Sequence, residues 1–255
     1  ALTHWPTSWL WREGVVALLT VWPALMIGAL LLWAPAGATK AALLACLGIA
    51  LALLALATVA STAMIYASLK PIPAWRHPLV VPVYLLFALL TGLGLLFVLM
   101  AAMLGGHGPA MMTITLAVLG GLLIALKWLY WYEIGRATPP VTRGDAIGLP
   151  GREATVFERP HTEANYITRE MAFALARRHA LWLRIAASAA VFGAPLLALA
   201  LLAAGASPVT TLLLATLGAL AGAFVERWLF FAEARHVVMR YYGGDAASDP
   251  LRGNA

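Results

Sequence analysis

The sequence predicts an all-α membrane protein, a polytopic bundle of six transmembrane helices in 255 residues. Three observations point there. Hydrophobic residues make up 62% of the chain and charged residues only 11%, against about 25% charged in a soluble domain, and the mean hydropathy is +0.86. Apolar runs recur at the length of about 20 residues that a helix needs to cross roughly 30 Å of hydrocarbon. The charges are also unequally divided: with the runs threaded through a bilayer, all 11 Asp and Glu and every one of the 17 Lys and Arg except Lys40 fall toward one face.

The spans are expected near 14–33, 41–67, 79–104, 110–132, 180–204 and 208–231. Arg12 and Glu13 open the first in SWLWREG. Tyr66, Lys70 and His77 close the second and begin the third in AMIYASLKPIPAWRHP. Between the third and fourth the only titratable group is His107, and the fourth leads into the one long polar loop, 133–179. The end of that loop, YITREMAFALARRHALWLR, reads as helical, with ARRH as a basic anchor before the fifth span. Pro23 and Pro195 fall inside spans. The sixth ends in ERWLFFAEARHVVMRYYG, which reads as one continuous helix of about 50 Å from Pro208 to Tyr242 at 1.5 Å per residue. The membrane domain is taken as 1–242 and the tail 243–255 as flexible.

Lys and Arg in short loops are held in the cytoplasm during insertion. Arg12, Lys70, Arg76, the loop from Arg136 to Arg178, and Arg235, Arg240 and Arg252 therefore place both termini in the cytoplasm of a bacterial inner membrane. The net charge of +6 needs no nucleic acid, because anionic headgroups attract basic juxtamembrane segments. The lone Cys46 reads as a buried thiol in mid-span and excludes an internal disulfide, a cysteine-ligated iron–sulfur cluster and CxxCH haem attachment. Most of the Trp residues lie near span ends, where interfacial belts form. The polar loop mixes seven Arg with six acids. Such a surface suits a peripheral partner, and Arg76, His77, Arg143, Arg152, Arg159 and Arg169 are its candidate docking residues.

Ionisable groups next to hydrocarbon are costly and mark candidate functional positions. They form three clusters: Arg12 with Glu13; Tyr66, Lys70 and His77; and Glu226, Arg227, Glu233, Arg235, His236 and Arg240. A quinone headgroup enters sideways from lipid, needs an apolar and aromatic pocket, and requires proton donors near its two oxygens, a task that Glu, His, Lys and Tyr can perform. Solute transport is the competing class, but transport sites favour mid-membrane charge and repeated halves, and no repeat is visible. A haem would need two facing His ligands at matching depth; His77 and His236 have simpler readings as interfacial groups, and no haem is expected.

STAMIYASLKPIPAW, SWLWREG and ERWLFFAEARHVVMRYYG together resemble the membrane anchor subunits of the dimethyl sulfoxide reductase type, a likeness that runs over essentially the whole chain. The resemblance implies an anchor of about eight helices, two of them before SWLWREG. It also implies quinone exchange, as ubiquinone or menaquinone, and partner subunits bearing iron–sulfur clusters and molybdopterin. Of the family's quinol-site residues only a glutamate aligns here, at Glu13. Arg12, Tyr66, Lys70, Glu226, Arg235 and His236 are added as candidates for quinone binding and proton transfer because they sit in the matching motifs on the same face. A motif-bearing face turned inward favours the sulfite-oxidising members, which reduce quinone. The alternative is a quinol-oxidising terminal reductase.

Overall fold

The computed structural model describes residues 8–104, 108–136, 148–149, 151–152 and 174–234. Every regular element among them is helical: α1 (Trp9–Trp33), α2 (Ala38–Ala67), α3 (Val80–Leu104), α4 (Pro109–Arg136), a short α5 (Ala174–Arg178), α6 (Ala180–Ser188), a π-helical turn (Ala189–Gly193), α7 (Ala194–Ala203) and α8 (Pro208–Ala232). Six helices are long and apolar enough to cross a membrane, with α6, the π turn and α7 stacked into one of them. α1 begins at Trp9, so SWLWREG lies within its first turns.

In hydrocarbon each backbone polar group must bond within the protein, and the side-chain hydroxyls follow the same rule. Thr20, Thr58, Thr91, Thr113 and Thr216 each donate to the carbonyl four residues back. Helix ends are closed with equal economy. The Lys40 ammonium reaches the Ala34 carbonyl at 2.8 Å beyond the end of α1. Past α7, Ala206 N–H bonds Leu201 and Gly205 N–H bonds Leu202, the double closure that needs a left-handed residue; Gly205 supplies it at φ +90°. Pro208 then starts α8 at a position where a missing N–H costs nothing.

α8 is the hub, packing against α3, α4, α6 and α7, while α1 packs along α2 and α2 along α3. The close approaches are made by glycine. A Cβ on Gly120 of α4 would stand 2.6 Å from the Val191 carbonyl oxygen, and one on Gly218 of α8 would stand 2.2 Å from the Ala194 Cβ. One on Gly222 would meet Val191 Cγ2 at 2.5 Å. Gly218 and Gly222 are four apart, the small-residue spacing that lets membrane helices touch. The π turn is the knob that fills this groove. Pro195 has no N–H for the Val191 carbonyl, and the Ala194 N–H bonds Ala189 five residues back, so the turn widens where α4 and α8 have no side chains.

Three expectations are corrected. The last helix stops at Ala232 rather than running to Tyr242, because side chains take its final carbonyls: Trp75 Nε1 donates to Phe230 at 3.1 Å and Arg177 Nε to Ala232 at 2.9 Å. Cys46 is exposed on the outer surface of α2 rather than buried, since α2 uses its other sides against α1 and α3. Trp131 is only 2% exposed, so it belongs to the protein interior instead of an interfacial belt, whereas Trp75 stays half-buried against Phe230.

Gly120→Ala should lower the thermal unfolding midpoint of the detergent-solubilised protein, with overpacking costing about 1–3 kcal/mol. The matched change Gly48→Ala, with nothing within 4 Å of the added Cβ, should leave the midpoint unchanged or raised. Equal effects of the two substitutions would contradict the packing account.

Candidate functional site

One end of the bundle, where α2 and α4 finish and α3 begins, gathers most of the described charge. Position 127 of α4 faces position 226 of α8, and Lys127 Nζ lies 2.5 Å from Glu226 Oε1 with both side chains at most 2% exposed. The other oxygen, Oε2, takes the guanidinium of Arg227 at 2.5 Å. Two cations thus share one carboxylate. Aromatic faces accommodate the surplus charge, as cation–π contact allows: Arg227 lies 4.2 Å from the Tyr84 ring centre and 4.8 Å from that of Phe230, and Lys127 Nζ lies 4.0 Å from that of Tyr130. Arg227 Nη1 is buried without a hydrogen-bond partner among the described residues. A tight crevice, closed in this structure to anything the size of a water molecule, lies here, lined by Val80, Val83, Tyr84, Lys127, Tyr130, Arg227 and Phe230.

An aromatic cluster adjoins the crevice. Tyr66 stands edge-on to Trp75, Phe230 and Phe231 at centroid distances of 5.2, 5.8 and 5.5 Å, and stacks with Tyr84 at 6.1 Å. One turn before Tyr66 on α2, Thr62 Oγ1 donates to Glu13 Oε1 at 2.6 Å. Glu13 is therefore tied to the same helix and the same end, beside the cluster and on its α1 side. Arg12 lies over the Trp9 ring at 4.3 Å.

A hydrogen-bonded pair and an ion pair also lie at this end of the bundle. His77 Nε2 meets Glu133 Oε2 at 2.7 Å, and Arg184 of α6 meets Glu233 Oε1 at 2.5 Å. Glu233 follows the end of α8, and burial pushes its carboxyl above the usual carboxylate range while Arg184 opposes the shift.

Of the residues singled out in the sequence, the fold brings Tyr66 and Glu226 to one locus and Glu13 next to it. Lys70, Arg76 and Arg152 are exposed or half-buried away from the crevice, and His77 joins the end-of-bundle pair. Arg235, His236, Arg143, Arg159 and Arg169 lie outside the described residues. Lys127 and Arg184 escape sequence reasoning. Lys127 had a signal, being the one charge inside the run MMTITLAVLGGLLIALKWLYW; Arg184 looks like an interface anchor and proves to be the partner of Glu233. Among the described residues no group of three or more His, Cys, Asp or Glu could hold a metal ion.

Over 263 aligned residues the chain is 30% identical to a sulfite dehydrogenase subunit of Allochromatium vinosum, covering 95% of this chain and 76% of that protein. No family model matches it, and no solved structure does.

Glu226→Gln would leave Lys127 and Arg227 buried without a counter-charge, and breaking a buried pair in this way costs about 3–5 kcal/mol. Lys127→Met should cost less, because Arg227 still neutralises Glu226. Unfolding of the two variants in mixed micelles checks the order, and Lys127→Met as the more damaging change would refute it. For Glu233, a folded-state pKa above the unfolded value means that the folded state binds the proton more tightly. Its contribution then falls as pH rises from the ordinary carboxylate range through the raised value. Glu233→Gln should remove that part of the slope of stability against pH, which unfolding midpoints at several pH values would reveal.

Proposed function

The chain belongs to the family of this sulfite dehydrogenase subunit, and on that footing we propose that it is the membrane subunit of a sulfite-oxidising complex that passes electrons to quinone. The observation that carries this reading is the set of groups around the closed crevice, which Tyr84 and Arg227 would have to open to admit a headgroup. An aromatic wall, Tyr84 with Phe230, meets an Arg227 nitrogen that lacks an acceptor among the described residues and a Lys127 ammonium, all close to one end of the bundle. A quinone headgroup offers what these groups lack: a flat ring for the aromatic faces and a carbonyl oxygen for the donor. Its isoprenoid tail would remain in lipid. Tyr66 of α2 adjoins the crevice through its stacking on Tyr84, and Glu13, the glutamate that aligns with the quinol site of dimethyl sulfoxide reductase-type anchors, bonds Thr62 one turn before Tyr66.

The electrons come from partner subunits bearing iron–sulfur clusters and molybdopterin, docked at the inner end through the charged segments there. The positive-inside distribution puts that end in the cytoplasm, which favours sulfite oxidation with quinone reduction over a terminal reductase with its catalytic subunits outside.

Two measurements test this. The complex purified with its partners should reduce a short-chain quinone at the expense of sulfite, and Arg227→Gln or Glu13→Gln should lower that rate while electron delivery to a soluble dye persists. A rate that neither substitution changes would place the quinone elsewhere. A reporter fused after Asn254 should be active only in the cytoplasm; periplasmic activity would reverse the orientation.

A further inference from the structure

Reduction of a quinone consumes two protons with its two electrons, and the crevice is walled from water by Tyr130 and Phe230, each 3% exposed. One line of residues reaches it from the aqueous end. Glu133, Tyr130 and Lys127 follow at intervals of three on α4, so they share a face and descend about 4.5 Å per step. Glu133 is the outermost, 45% exposed, and its carboxylate holds His77 Nε2 at 2.7 Å. His77 Nδ1 accepts the Leu79 N–H at 3.2 Å, which leaves the imidazole its proton on Nε2. The His77 ring stands edge-on to Tyr130 at 5.1 Å. On the inner side of Tyr130 comes Lys127, and Lys127 pairs with Glu226. The neighbouring charges, Arg184, Arg227 and Glu233, flank this line from α6 and α8.

We propose that Glu133, His77, Tyr130, Lys127 and Glu226 form the proton entry route of this protein, from the aqueous end of α4 to the crevice beside Tyr84 and Arg227. The inference rests on the quinone reading. At the partner, sulfite and water become sulfate, two electrons and two protons; at the crevice the quinone takes two electrons and two protons, and its two carbonyl oxygens become hydroxyls. The Lys127 ammonium gives a proton to a quinone oxygen, with Glu226 holding it in place. Lys127 is then reprotonated through the Tyr130 hydroxyl, which donates to the Ala74 carbonyl at 3.0 Å while Lys127 lies over the face of its ring. The transfer therefore requires Lys127 to swing to the hydroxyl and a water to join the hydroxyl to His77, whose two nitrogens are held by Glu133 and Leu79. The Glu133–His77 pair draws the replacement proton from water, and the cycle runs twice for each quinone.

The test uses the assembled complex in proteoliposomes, with sulfite-dependent reduction of a short-chain quinone and of a soluble dye measured side by side. Glu133→Gln removes the ionisable carboxyl and Tyr130→Phe the hydroxyl, and both keep the shape of the side chain. Each should slow quinone reduction at least about tenfold, the low end of what a positioned proton donor contributes, with the dye rate unchanged. Millimolar azide or imidazole, small proton carriers, should restore the Glu133→Gln rate, which a merely structural role would not allow. Unaltered quinone rates in both variants would overturn the route, as would a loss that small proton carriers leave in place and that appears as a higher KM for quinone. Wild-type complex that reduces the dye but no quinone would instead overturn the quinone reading itself.

Discussion

The contact between Lys127 and Glu226 governs the charged half of this bundle. Removing an ion from water into a low-dielectric interior costs several kcal/mol even after relaxation, so neither residue could occupy its depth alone. Their pairing across α4 and α8 ties the two most buried spans together at one register. Arg227 follows in sequence and adds a second cation to the same carboxylate, and the rings of Tyr84, Phe87, Tyr130 and Phe230 close around the pair. The aromatic wall and the charged centre are thus a single construction, because each makes the other tolerable.

Farther from that end the bundle is held by contact between backbones. Lipid chains are as apolar as the helices, so burial of hydrophobic area does little to bring membrane helices together. Close packing takes its place. Gly120, Gly218 and Gly222 provide the hollow, and the π turn ahead of Pro195 provides the bulk that fills it. These contacts set how α4, α6, α7 and α8 rotate about their axes, and so which residues face each other at the charged end.

Much was legible in advance. Apolar runs located the six spans within a few residues, since the length of hydrocarbon to be crossed leaves little choice. The interhelical side of each residue was harder to read. The helices are apolar all round, so no stripe distinguishes inward from outward, and Cys46 faces outward against expectation for that reason. Trp131 reads as a belt residue because its position in sequence is terminal, while its facing is central. The end of α8 at Ala232 was hidden because the groups that take its last carbonyls, Trp75 and Arg177, come from distant parts of the chain. At the candidate site, Glu13, Tyr66 and Glu226 stood out from motifs and from their cost in hydrocarbon. Lys127 did not, because one lysine in an apolar run acquires meaning only with its partner.

By itself the sequence determined the class of protein, the six spans and the segregation of charge, because composition and length answer directly to the bilayer. It also held the likeness to a sulfite dehydrogenase subunit. Only the tertiary structure decided that Lys127 meets Glu226, that Arg227 turns toward Tyr84, and that Glu133 and His77 stand at the outer end of the same face. Those pairings depend on helix rotation and register, which arise where backbones between about 25 and 70 residues apart touch through glycine, and no local property of the chain encodes that contact.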